Sequence, residues 1–200
     1  MRKVFYSFHY ERDSWRAANV RNFNKIANED EYGVIDSVEW EKIKQKGDPA
    51  IEKWIQEQLQ STSVTVVLIG TETASRPWVQ YEIRESWKRG NALLGVYIHS
   101  VKTQDKETDP KGSNPFDAIK FTDGTALSTV CPTYDWDSDN GRENMGAWVE
   151  DAYQARQKVS VDKKIDEDDK GPGGSKTTPP PRPTPTGPTV IQSPSRPWTP

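Results

Sequence analysis

Cysteine and histidine are almost absent from this chain: its 200 residues include one cysteine, Cys131, and two histidines, His9 and His99. A single cysteine excludes an internal disulfide and fits a reducing compartment, so the expected location is the cytoplasm. Cys131 has no evident partner for Cys/His nucleophilic chemistry and reads as a filler thiol. With so few nitrogen and sulfur ligands, no metal cluster of workable spacing can be drawn, and no metal is expected. No apolar run approaches the ~20 residues of a membrane span. The opening residues, MRKVFYS, are too short and too soon polar for a signal peptide. A net charge of −3 provides neither the basic footprint of a nucleic-acid binder nor a polybasic membrane patch. Neither of the glycine-rich phosphate loops, G-x-G-x-x-G and G-x-x-x-x-G-K-[ST], occurs. A Ser/His/acid triad lacks its nucleophile elbow.

Proline is unevenly spread. Ten of the fifteen prolines follow residue 170. The segment from Gly171 to Pro200 is rich in Pro, Thr, Ser and Gly and poor in large apolar residues, so it cannot bury enough surface to offset chain entropy. It reads as a disordered or polyproline-like tail, most simply a spacer, although Pro179-Pro180-Pro181-Arg182-Pro183 could occupy an aromatic groove. Residues 159–170 are mostly charged and are expected to fray into that tail. The expected division is therefore one domain over residues 1–158 and a tail over 159–200.

Within the domain, Lys3 to Phe8 reads as a first strand. Asp13 or Ser14 can cap a helix through Trp15, Ala18, Val20, Phe23 and Ile26. Val34 to Val38 reads as a second strand. Asp48 as cap and Pro49 at the first helical position open a helix whose core stripe is Ile51, Trp54, Ile55 and Leu59. Val64 to Ile69 is almost continuously apolar, the mark of a parallel strand covered on both faces. A helix from Pro77 ends near Arg89-Gly90, with basic residues in its last turn and glycine as stop. Leu93 to Ile98 is the next strand. Lys102 to Asn114 is a polar surface loop, Ala126 to Val130 a short edge strand, and Asn144 to Lys158 a terminal helix packing through Met145, Trp148, Val149 and Tyr153. The alternation of strand and helix predicts a mainly parallel sheet with helices on both faces.

In such a sheet ligands sit beyond the carboxyl ends of the strands. Two segments should meet there: Ser7-Phe8-His9 after the first strand, and Gly70 to Glu82 after the central one. Trp78 and Glu82 are four apart and share a helix face. An indole beside a carboxylate suits a ligand with a flat ring and a cationic or electron-poor sugar carbon. Glu82 is the candidate catalytic group, able to stabilise an oxocarbenium-like carbon or attack it; it could instead accept from a ribose hydroxyl or only complement the helix dipole. Trp78 is either a ligand platform or a packed aromatic. His9 is either a polar ligand contact or a satisfied side chain. Asp13 can be read as only a helix cap, and Arg21 and Asn22 either reach a phosphate or sugar or stay exposed. A phospho-acceptor receiver would share this topology, but the first strand runs into Ser7-Phe8-His9-Tyr10 rather than an acidic pair.

Lys3-Val4-Phe5-Tyr6-Ser7-Phe8-His9-Tyr10, followed by Asp13, Trp15 and Val20-Arg21-Asn22, resembles the opening of the TIR-like family of Thoeris anti-phage systems. Trp78-Val79-Gln80-Tyr81-Glu82-Ile83 resembles the W-x-x-x-E box of TIR domains that cleave NAD. The resemblance covers about residues 3 to 155. It implies a flavodoxin-like TIR fold and cleavage of the nicotinamide–ribose bond of NAD, a substrate rather than a cofactor. It also implies a cyclic ADP-ribose isomer as the product, and this isomer would activate a partner effector. A phage trigger and self-association are implied as well. By motif, Glu82 matches the catalytic glutamate and Phe8 and His9 the loop lining the NAD cleft. Trp78 opens the catalytic helix, and Asp13, Arg21 and Asn22 belong to the shared opening. The Pro-rich tail is not part of that pattern. Three other readings compete: a non-enzymatic TIR-type interaction module, a nucleoside deoxyribosyltransferase-like enzyme acting on free nucleosides, and a binder that captures nucleotide signals unaltered.

Overall fold

The computed structural model describes residues 2–25, 31–32, 42–43, 45–160 and 163–167. Its centre is a five-stranded sheet, with β1 (Val4–Ser7), β2 (Glu31–Tyr32), β3 (Val64–Ile69), β4 (Ala92–Tyr97) and β5 (Thr133–Asp135) in the spatial order β2-β1-β3-β4-β5. Every neighbouring pair is parallel. This is the flavodoxin-like order, in which the strand sequence reverses between β1 and β3 and opens a crevice at their carboxyl ends.

Alternation along the strands divides the core between two faces. Val4 and Tyr6 of β1 and Val64, Val66 and Leu68 of β3 point to one side. There they meet Ala17 and Val20 of α1 (Tyr10–Lys25) and Met145, Trp148 and Val149 of α4 (Gly141–Lys158). Val67, Ile69 and Leu93 point to the other side, against Val79, Ile83 and Trp87 of α3 (Pro77–Lys88). Phe5 of β1 faces the same way and packs on Ile51, Ile55 and Leu59 of α2 (Asp48–Gln60). All six residues of β3 are buried, as a strand covered on both faces must be. Cys131 is buried in the α3-side core, and burial pushes its thiol far up from the ordinary range.

Several element boundaries differ from the sequence expectation. Helix α1 starts at Tyr10, so Asp13 lies inside its first turn and is not a cap; its N–H donates to the His9 carbonyl at 2.8 Å. Gly47, at φ 84°, precedes α2, and Asp48 is its first helical residue rather than the cap. The segment Ala126–Val130 forms a 3-10 turn over Leu127–Thr129, and the edge strand is Thr133–Asp135. The expected strand at Val34–Val38 lies outside the described residues, and the strand beside β1 is Glu31–Tyr32. Helix α4 begins at Gly141, upstream of Asn144. Residues 163–167 do not fray: Ile165 is buried and bridges to Phe121, and the Trp87 indole donates to the Lys163 carbonyl at 2.9 Å. The packed fold thus reaches past residue 158. The tail expected from Gly171 lies outside the described residues.

Candidate functional site

Ser7 is the last residue of β1, on the same face as Phe5 and opposite Val4 and Tyr6. Its side chain therefore points beneath α3, where Glu82 sits one and a half turns into the helix. The Ser7 hydroxyl donates to Glu82 Oε2 at 2.5 Å. The helix is held at this height by a second polar contact: Ser86 Oγ donates to the Glu82 carbonyl at 2.6 Å and stands 2.8 Å from Thr65 Oγ1 on β3. Two buried polar side chains in the core, Thr65 and Ser86, thus fix where Glu82 emerges.

Glu82 is 8 % exposed. Burial pushes its carboxyl up to about 8, and the Ser7 hydrogen bond opposes that rise. No cation among the described residues pairs with it. A buried carboxylate without a paired cation is unfavourable when ionised, but it suits a ligand that brings its own positive charge.

A second buried carboxylate stands at the same end of the sheet. Asp13 is fully buried, with its oxygens against Gly70 at the exit from β3: a Cβ at Gly70 would fall 2.2 Å from Oδ2. A terminal nitrogen of the buried Arg16 lies 3.5 Å from Asp13 Oδ1 and 2.9 Å from Asp109 Oδ2. Arg16 Nε donates to the Val101 carbonyl at 2.7 Å. Arg12 continues the network to Asp109 at 3.2 Å and Glu72 at 2.8 Å, and Glu72 also pairs with Arg76. Burial pushes the Asp13 carboxyl up to about 6, with Arg16 and Arg12 holding it back.

This network sews the loop after β4 over the carboxyl ends of the strands. Thr71 Oγ1 donates to the Pro110 carbonyl at 2.6 Å, and Gly112 crosses Gly70 so closely that a Cβ on it would fall 2.1 Å from the Gly70 carbonyl oxygen. The loop expected to be merely a polar surface segment is one wall of the crevice.

The other candidate residues are placed as follows. His9 is buried in the turn between β1 and α1, with Nε2 4.0 Å from the Glu11 carboxylate. Phe8 is partly buried against the α1-side core and stacks on Tyr10, with ring centroids 6.0 Å apart. Trp78 is half-buried on the Phe5 cluster and meets Tyr81 edge-on at 5.8 Å. Arg21 and Asn22 are not brought to this group: they lie about 16 Å down α1 from Tyr10, away from the carboxyl end of the sheet. Sequence reasoning placed Ser7 in the converging segment but gave it no role, and it did not select Arg16 or Asp109. The strand phase of Ser7 was a usable signal, because a polar side chain sharing a face with Phe5 must lie under a covering helix. Among the described residues no group of three or more His, Cys, Asp and Glu side chains could hold a metal ion, and no helix is long and apolar enough to cross a membrane.

A parallel sheet in the order 2-1-3-4-5 defines a flavodoxin-like α/β domain, and a buried helix-borne glutamate bonded to the tip of its first strand is the arrangement expected of the TIR class. Residues 5–103 match the model of the family described as "Thoeris protein ThsB, TIR-like domain". A protein of Bacillus cereus (strain MSX-D12), named "Putative cyclic ADP-D-ribose synthase ThsB1", is 32 % identical over 190 residues, covering 74 % of this chain and 98 % of that protein. The chain belongs to the Thoeris ThsB TIR-like family. Among solved structures, the SEFIR domain of interleukin-17 receptor B is similar at 17 % identity and a TM-score of 0.43, over 78 % of this chain and 97 % of that one. The sheet order defines the fold without help from that distant likeness.

Proposed function

We propose that this chain is the TIR enzyme of an anti-phage defence system, a cytoplasmic protein that cleaves NAD between nicotinamide and ribose and closes the remainder into a cyclic ADP-ribose isomer. The name of the Bacillus cereus relative supports the product. The observation that carries the chemistry is Glu82: a buried carboxylate with a hydroxyl partner and no paired cation, at the switch point of the sheet.

The pyridinium of NAD supplies the positive charge that Glu82 lacks. Binding there favours the ionised carboxylate and so prepares it for reaction. The bond between the ribose anomeric carbon and the nicotinamide nitrogen breaks, and its electron pair leaves with neutral nicotinamide. Positive charge grows on the sugar carbon, where Glu82 stabilises it; preorganised charge of this kind is a large catalytic term. A hydroxyl of the ADP-ribose part then attacks the carbon and its proton passes to the carboxylate, whose raised proton affinity suits that role. Exclusion of water from the cleft selects ring closure over linear ADP-ribose. The diffusible product would carry the signal to an effector, with a phage component and self-association as the expected triggers.

The test is nicotinamide release from NAD by the assembled wild-type protein and by Glu82→Gln. The expected loss is about 10²–10³-fold. Equal release by the two proteins removes Glu82 from the mechanism.

A further inference from the structure

The proposed reaction uses one half of a dinucleotide and leaves the other half without a seat. A groove of about 460 Å³ lies along the outer side of α1, at the same end of the sheet. Tyr10, Ser14 and Ala18 are spaced four apart and form one stripe of the helix, with Trp15 beside them. Residues 103–105 of the loop after β4 make the facing wall. Trp15 is 45 % exposed, the one large hydrophobic side chain so exposed among the described residues. Two small residues, Ser14 and Ala18, beside two large rings leave an open depression with aromatic surface on the helix side.

The facing wall is preformed. Thr103 closes a tight turn: its N–H donates to the Glu107 carbonyl at 2.9 Å, and its carbonyl accepts from the Lys106 N–H at 3.0 Å. The base of the loop is pinned by Arg16 to the Val101 carbonyl and by Arg12 and Arg16 to Asp109. A groove with a fixed wall loses little entropy when it is filled.

We propose that this groove is the purine subsite of the enzyme, with the base of the dinucleotide lying on Trp15 and Tyr10. This rests on the reading of NAD as substrate. Gln104 and Asp105 at the rim offer acceptors for the exocyclic amine of adenine, whereas the cationic pyridinium is drawn to Glu82. Tyr10 links the two places: it lines the groove and also packs on the Phe5 cluster beside Trp78 and Tyr81. Ser7 is three residues from Tyr10, at most about 10 Å, and Trp15 is about 7.5 Å further along the helix. Two nucleoside halves joined by a diphosphate can bridge that separation across the His9–Tyr10 turn.

The experiment is calorimetric titration of the Glu82→Gln protein, in which turnover is suppressed, with AMP and with nicotinamide mononucleotide as separate probes. Trp15→Ala should weaken AMP binding by about ten- to a hundredfold, the range of stacking one base on an aromatic ring. Binding of nicotinamide mononucleotide should be unchanged, and Trp15→Phe should restore most of the AMP affinity. An exposed Trp15 is dispensable for folding, so the melting temperature should stay constant. Absence of AMP binding, AMP binding indifferent to Trp15, or equal weakening of both probes overturns the proposal. Failure of the enzymatic reading looks different: Glu82→Gln would still release nicotinamide, while AMP would continue to depend on Trp15.

Discussion

Glu82 and Asp13 are both buried carboxylates at the carboxyl end of one sheet, and their surroundings balance charge differently. Asp13 has Arg16 and Arg12 close by, and its carboxyl rises only to about 6; Glu82 has a hydroxyl partner and no paired cation, and rises to about 8. The first has its counter-charge within the protein, in the guanidinium of Arg16. Its partner Arg16 in turn joins α1 to the loop after β4, through Asp109 and the Val101 carbonyl, so this carboxylate belongs to the network that holds a wall. The second is left short of one positive charge. An incomplete site of that kind loses stability and gains a preference for a cationic ligand, the usual relation between a binding site and the scaffold around it.

The strongest break in this comparison is Arg16→Ala. It removes the donor to Val101 and leaves Asp13 and Asp109 facing each other with less compensation, which should cost about 3–5 kcal/mol in chemical denaturation. A loss below about 1 kcal/mol would mean that the network is solvated rather than structural.

Next comes the stability of Glu82→Gln as a function of pH. Glu82 holds its proton up to about 8 when folded but releases it near 4.5 when unfolded. Its contribution to stability is therefore fully present below about 4.5 and is lost as pH rises through 8. Glutamine is uncharged throughout and can still accept from Ser7. The variant should match wild type near pH 4.5 and exceed it by a few kcal/mol near pH 9. A constant difference at both pH values would show that Glu82 ionises normally and that the contrast with Asp13 is not electrostatic.

Gly70→Ala probes the charge-balanced side by shape. The new methyl would fall 2.2 Å from an Asp13 oxygen that has nowhere to move, at a cost of about 1–3 kcal/mol. The penalty should shrink when Asp13 is replaced by Ala in the same molecule, a coupling that a double-mutant cycle measures.

These two carboxylates were unequally legible. Glu82 could be picked out because everything that positions it is local: a continuous apolar strand, Val64 to Ile69, then glycine, a short loop and a helix opening on Pro77. The face of that helix toward β1 followed from its phase. The role of Asp13 could not be read this way. Glu11-Arg12-Asp13-Ser14 is one polar run in which Asp13 or Ser14 could be a cap; the partners that define the surroundings of Asp13 are Gly70, against which it packs, and Arg16, which reaches Asp109 on a distant loop. Nothing in the composition of a polar segment says that it will be nailed down by two arginines. The edge strand was misplaced for a related reason: Leu127 and Val130 are apolar because they pack in the cluster with Phe121 and Ile165 as part of a turn, whereas Thr133–Asp135 is only half-buried and carries little hydrophobic signal.

The mildest change, Ser7→Ala, asks how far the hydroxyl tempers the unpaired acid. Ser7 donates to the ionised form of Glu82 and so favours it, drawing the carboxyl below the value that burial alone would set. If the ionised carboxylate is the reactive form, kcat/KM for nicotinamide release should rise with pH along a limb centred near 8 in the free enzyme. Ser7→Ala should move that limb upward by about one pH unit, equivalent to about 1.4 kcal/mol. At neutral pH the activity should fall about tenfold, and it should recover as pH approaches the displaced limb. A purely structural serine would lower the whole profile and leave its midpoint in place. An upward shift would show that the hydroxyl keeps part of the carboxylate charged while the site waits for its cation, a task that Arg16 performs permanently for Asp13.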